Sequence, residues 1–115
     1  MKAIAALLVA LLANTGAFAA DTAPDGRDAL AAVEALGRLN GQALACNQPA
    51  ISSRARNAVV TGAPKTRGYG EAFEAATNAA FLEQGRGSVC PDAATLSQEL
   101  ATGESRLRAA LAAGQ

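Results

Sequence analysis

The sequence predicts an all-α protein: a small domain of four helices closed by one disulfide, after an N-terminal signal peptide. Apolar residues recur every three to four positions in four successive segments, the spacing of one helix face. No segment alternates apolar and β-branched residues in the manner of a strand. The chain has two cysteines, Cys46 and Cys90, so only one intramolecular pairing exists.

The first residues have the three regions of a secretory signal peptide. Lys2 gives the N-terminal region a positive charge, and residues 3–13 form an apolar run. Ala17-Phe18-Ala19 then has the small residues that a signal peptidase site requires. This run of 11 residues is shorter than the roughly 20 that span a bilayer, and no later segment qualifies as a membrane span. An amphipathic or buried first helix is the alternative, but the run has no polar face. We predict residues 1–19 as signal peptide, 20–24 as a flexible leader and 25–115 as an exported helical domain, periplasmic or secreted.

The first helix of the domain is expected to begin with Asp25 or Asp28 as its N-cap, because a carboxylate accepts from the free amides of an opening turn. This helix is expected to end before Pro49, because a proline disfavours the helical conformation of the residue that precedes it. Gly37 and Gly41 lie four apart on one side of this helix. Glycine weakens a helix by about 1 kcal/mol, so either the helix is locally weak or another helix approaches closely there.

Turn residues separate the remaining segments. The second helix is expected over Ala50–Val60, with Arg54 and Arg56 outward, and it ends before the Gly-Ala-Pro sequence at 62–64. The third is expected over Arg67–Gln84, with Gly85 as a left-handed C-cap. One stripe along this third helix holds Tyr69, Phe73, Ala76, Ala80 and Phe81.

The fourth helix is expected to begin with Pro91, because a proline at the first helical position lacks only an amide that is unpaired anyway. Leucines then repeat at helical spacing, and Gly103 within them is a candidate bend. In an exported protein the two cysteines are expected to pair; two free thiols or an intermolecular bridge are the alternatives. An internal Cys46–Cys90 bridge would join the end of the first helix to the start of the fourth. A hairpin of the second and third helices would then pack onto these two.

Composition argues against several functions. Loss of Lys2 leaves nine basic against ten acidic side chains, a net charge of −1, which does not suit a nucleic-acid binder. The chain has no histidine, so metal, haem and serine-triad sites lack their usual groups. Glu71 and Glu74, one turn apart, more often form a solvated face or bridge to Arg67 than an acid–base pair. We therefore predict no enzyme, no cofactor and no metal site.

The charge distribution is uneven between Cys46 and Tyr69, where four cations and no anion occur. Arginines suit phosphate, carboxylate or an acidic partner surface. The alternative is a solvated turn balanced by the neighbouring glutamates. The candidate ligand- or partner-binding residues are Arg54, Arg56, Lys65, Arg67 and Tyr69.

Two segments, APKTRGYGEAFEAATNAAF at 63–81 and GQALAC at 41–46, resemble a group of uncharacterised small exported helical proteins of proteobacteria. This resemblance implies export and a helical two-cysteine domain, and it assigns no catalytic or binding residue. We expect an interaction module that acts on another periplasmic protein: an accessory subunit, an inhibitor or immunity-type protein, or a small chaperone. The alternative is a carrier of a small apolar or anionic ligand, held between alanine-lined helices beneath Tyr69 and the arginines. An enclosed pocket of about 300 Å³ or more would favour the carrier.

Overall fold

A computed structural model describes residues 26–114, which fold into four helices without a strand in that range. They are α1 (Arg27–Ala45), α2 (Pro49–Gly62), α3 (Arg67–Gly85) and α4 (Ala93–Ala113). The predicted all-α class is therefore confirmed. The predicted signal peptide and leader lie outside the described residues. Across 26–114, no helix combines the length and the apolar character that crossing a membrane requires.

Helix α1 is the centre of the fold, because it packs against each of the other three helices. Helix α2 also packs on α4, whereas α3 packs mainly on α1. Helices α1 and α3 run parallel, since Gly37 lies beside Phe73 and Gly41 beside Thr77. The predicted hairpin of the second and third helices is wrong: α2 and α3 attach to α1 separately and share no extensive interface.

The leucines of α1 and α4 form most of the core. Leu36, Leu96 and Leu100 are fully buried, and Leu107 is nearly so. Helix α3 contributes one buried aromatic ring, Phe73. Alanines of α1 and α2 fill the remaining space and let the helices approach closely. The core is thus concentrated on the α1–α4 side of the molecule.

The first turns of α1 and α4 differ from the prediction. Gly26, in the left-handed region with φ 89°, precedes α1, and Asp28 lies within the first turn instead of capping it. The negative charge of Asp28 still stabilises the helix there, because it lies at the positive end of the helix dipole. Helix α4 begins at Ala93 and not at Pro91, and Asp92 is its N-cap: the Asp92 carboxylate accepts from the Thr95 amide at 2.8 Å. Hydrogen bonding to Thr95 lowers the pKa of Asp92 below its usual value, because it favours the charged form.

The end of α3 also differs. The helix continues through Gly85 to a C-cap at Arg86, and the residue with a left-handed φ is Gly87, at 104°. The predicted position of the turn was therefore two residues too early. In α4, Gly103 lies inside one continuous helix and faces Leu36, since a Cβ there would lie 2.9 Å from a Leu36 methyl group.

The two glycines of α1 mark its closest contact with α3. A Cβ on Gly37 would lie 2.7 Å from the Phe73 carbonyl oxygen, and one on Gly41 would lie 2.9 Å from the Ala80 Cβ. Real Cβ atoms do not approach other atoms so closely. Of the two explanations that the sequence offers, close helix approach is the correct one.

The buried stripe of α3 agrees with the prediction at Phe73 and Ala80 but not at Phe81. It consists of Phe73, Thr77, Ala80 and Gln84, whereas Phe81 is 46% exposed. Eight residues turn a helix about 80° beyond two full turns, so Phe81 leaves the face that Phe73 defines. Thr77 and Gln84 can be buried on that face because their polar groups have hydrogen-bond partners. Gln84, for example, donates to the Ser88 carbonyl at 2.6 Å.

The predicted disulfide is confirmed. Cys46 is the C-cap of α1 and Cys90 lies in the loop before α4, with a Cα–Cα distance of 5.7 Å. This distance satisfies the limit of about 7 Å for a bridge. The covalent loop encloses α2 and α3, and the bond ties the end of α1 to the approach to α4.

Candidate functional site

The four predicted cations each have a different neighbourhood. Arg54 on α2 reaches across to α4, where it forms an ion pair of 3.0 Å with Glu104. Lys65, in the loop after α2, donates to the Val60 carbonyl at 2.7 Å. At the start of α3, the Arg67 guanidinium lies 3.9 Å from the Glu71 carboxylate, and both side chains are largely exposed. This last contact is the bridge that the sequence suggested as an alternative to catalysis.

The other two members of the set point elsewhere. Arg56 is exposed and lies about 200° around α2 from Arg54. Tyr69 is half-buried against the core, and its hydroxyl lies next to Gly26 at the start of α1. Within 26–114, no hydrogen bond or ion pair joins any two of the five predicted residues. Their role in binding stays a prediction.

A polar network that sequence reasoning missed crosses three helices. The Ser52 hydroxyl of α2 donates to Asn40 Oδ1 of α1 at 2.5 Å, and Asn40 Nδ2 donates to Thr77 Oγ1 of α3 at 3.1 Å. The Thr77 hydroxyl donates to the Phe73 carbonyl at 2.8 Å or to that of Gly37 at 3.1 Å. The only signal in the sequence was the position of Asn40, at apolar spacing on the first helix.

This network has a structural role. All three side chains are buried, and the described residues include no buried side-chain nitrogen or oxygen without a partner. A satisfied buried network sets the register of the helices that it joins, because any shift would leave polar groups unpaired. No polar group of this network is left to bind a ligand. Among the same residues, no cluster of acidic, cysteine or histidine side chains could hold a metal ion.

The outer face of α3 carries exposed apolar side chains at its C-terminal end. Phe81 is 46% and Leu82 is 60% exposed. Nearby on α1, Leu44 is also 46% exposed, one turn beyond the glycine that contacts the Phe81 backbone. Val89, next to the disulfide, is 92% exposed. We call these four residues the apolar end; it is uncovered because α3 packs mainly on α1.

A second surface feature is a groove of about 550 Å³ between α1 and α4. It is open to solvent, so it is not the enclosed pocket that a buried carrier site requires. Tyr69 does not line this groove, which lies between α1 and α4 and not between α1 and α3. The groove therefore offers a binding position that the sequence did not indicate.

Comparison with known proteins supplies no identity: no protein-family model, curated protein or solved structure matches the chain. The resemblance to small exported proteins of proteobacteria thus stays a prediction.

Proposed function

We propose that this protein is an exported interaction module whose apolar end binds another protein. The observation that carries the proposal is the exposure of Phe81 and Leu82 on a helix with one packed side. Fully burying a Leu or Phe side chain contributes about 1.5–3 kcal/mol. Since each of these two side chains is about half covered already, roughly half of that free energy is left for a partner to gain.

Charge on the same face defines the partner further. Residues Glu71, Glu74, Phe81 and Leu82 recur at helical spacing, so acidic groups precede the apolar ones along one face of α3. A suitable partner presents an apolar pocket beside lysine or arginine side chains. A second copy fits less well: parallel α3 helices would oppose like charges, and antiparallel ones would bury Glu74 against apolar side chains.

Export is the second part of the proposal. It is supported by the signal-peptide pattern of residues 1–19 and by the disulfide, a bond that persists mainly outside the cytoplasm. Mass spectrometry of the protein from the host's extracytoplasmic fraction should give a chain that begins at Ala20. Protein that retains Met1 in this fraction would contradict the predicted cleavage.

The binding surface is tested with a matched pair of variants. Wild type, Phe81→Ser/Leu82→Ser and the control Val60→Ser are used to capture proteins from the extracytoplasmic fraction. Val60 is 55% exposed but lies on α2, away from the apolar end. The captured partner is then purified and its Kd measured against each form.

We expect wild type and Val60→Ser to bind the purified partner equally, and the double variant to bind about tenfold or more weakly. Equal binding by all three forms would disprove the role of the apolar end. Sedimentation equilibrium of the purified protein tests self-association separately. A dimer that the double substitution dissociates would identify a second copy as the occupant and overturn the proposed partner.

A further inference from the structure

The α1–α4 groove combines an apolar floor with charged walls. Leu36 and Leu39 of α1 form part of its floor, and Ala35 and Gly103 line it without filling it. Both leucines are buried in the core, so the floor is held rigidly from below. The volume of about 550 Å³ lies within the range of roughly 300–1,000 Å³ typical of sites for small ligands.

Three charged side chains line the groove: Arg38 on α1, and Glu99 and Arg106 on α4. None of the three has an ion-pair or hydrogen-bond partner within the part of the chain that the structure describes. This distinguishes them from Arg54 and Glu104, which pair with each other on the opposite side of α4. Opposite charges on one wall are therefore available to a ligand.

The separation of these charges sets the size of a matching ligand. Glu99 and Arg106 are seven residues apart, two helical turns on the same face, which corresponds to about 10 Å along α4. An extended chain rises about 3.3–3.6 Å per residue, so a peptide of about three residues places its two termini at that separation. Glu99 can then accept from the terminal ammonium group. Arg106 can donate to the terminal carboxylate.

We infer that the α1–α4 groove binds short zwitterionic peptides of about three residues, with an apolar side chain on the leucine floor. Hydroxyl and amide groups along the walls, such as those of Thr102 and Gln42, supply hydrogen bonds to the peptide backbone. This position and this ligand class both differ from those of the carrier that the sequence suggested. The groove is separate from the apolar end, so either proposal can fail without the other.

The test is a titration of isotope-labelled mature protein with Ala-Leu-Ala, followed by NMR at low ionic strength. The backbone amides of Ala35, Thr102 and Gly103 should shift and saturate, because they line the groove. The same peptide acetylated at its N-terminus and amidated at its C-terminus should not produce these shifts. Absence of saturable shifts at millimolar peptide, or equal binding of the capped peptide, would overturn the inference.

Variants test the assignment of charges. Arg106→Gln should weaken binding of Ala-Leu-Ala by about tenfold or more, since it removes a charge-assisted hydrogen bond. Glu99→Gln should weaken binding of the free peptide and leave that of the N-acetylated peptide unchanged. Arg108→Gln is the control, because Arg108 lies on α4 outside this groove. An equal Kd for wild type and Arg106→Gln would disprove the proposed orientation.

Discussion

From the contact between α1 and α3 we predict that two glycine-to-alanine substitutions change the free energy of unfolding in opposite directions. A Cβ on Gly41 would overlap the Thr77 carbonyl oxygen and lie 2.9 Å from the Ala80 Cβ, whereas nothing lies within 4 Å of a Cβ on Gly70. Both glycines are helical, so alanine favours the helix by about 0.5–1 kcal/mol at each. Only at Gly41 must a neighbouring helix move.

The expected magnitudes follow from these two effects. Overpacking a closed interface costs about 1–3 kcal/mol, and a backbone oxygen cannot rotate away as a side chain can. After the gain in helix propensity, Gly41→Ala should lower the free energy of unfolding by about 1–2 kcal/mol. Gly70→Ala should raise it by about 0.5–1 kcal/mol.

Urea unfolding followed by circular dichroism measures both variants against the wild type. A change of 1 kcal/mol shifts Tm by about 4–8 °C in a domain of this size, so thermal melts provide a second measurement. If Gly41→Ala were as stable as Gly70→Ala, α1 and α3 would not be in contact at this point. The parallel arrangement of these helices would then be refuted with it.

Three further predictions concern the disulfide, the aromatic residues and the cap of α4. Replacing both Cys46 and Cys90 by serine should lower the free energy of unfolding by about 4 kcal/mol, since the bridge closes a loop with a sequence separation of 44; unchanged urea midpoints with and without reductant would contradict this. Phe73→Ala should cost about 3–5 kcal/mol, and Phe81→Ala about 1 kcal/mol or less, because the first ring is buried and the second is half exposed. Equal costs in thermal melts would show that both rings share one environment. The lowered pKa of Asp92 means that its capping contribution is present above the usual carboxyl pKa of about 3.8 and is lost as pH falls through the lower folded value. Urea midpoints from neutral pH to about pH 2 should therefore fall less for Asp92→Asn than for wild type, and parallel pH profiles would count against the cap.

The helices and the disulfide of this protein could be predicted from local sequence patterns. Helical spacing of apolar residues, with Gly and Pro between the segments, was enough to locate all four helices to within a few residues. The pairing of Cys46 with Cys90 could be predicted from their number and from the expectation of export. These are local or combinatorial properties, and they do not depend on how the helices pack.

The ends of helices depended on competition between neighbours. Pro91 and Asp92 both suit a helix start, and the structure begins α4 after Asp92 because its carboxylate pairs with a free amide. Gly85 and Gly87 both suit the turn after α3, and Gly87 is the one that adopts the left-handed conformation. The alternative ends of a helix differ little in free energy, so sequence patterns locate a helix end only to within one or two residues.

Which helix faces are buried depends on how the helices pack, and the sequence patterns do not specify this. Periodicity defines a face on each helix but does not name the helix that packs against it. With α3 packed mainly on α1, the buried face shifted to include Thr77 and left Phe81 exposed, and Asn40 became buried at the junction of three helices. The apolar end and the α1–α4 groove both arise from this asymmetric packing. Each combines residues of α1 with residues of a helix much later in the chain, so no local pattern could have brought them together.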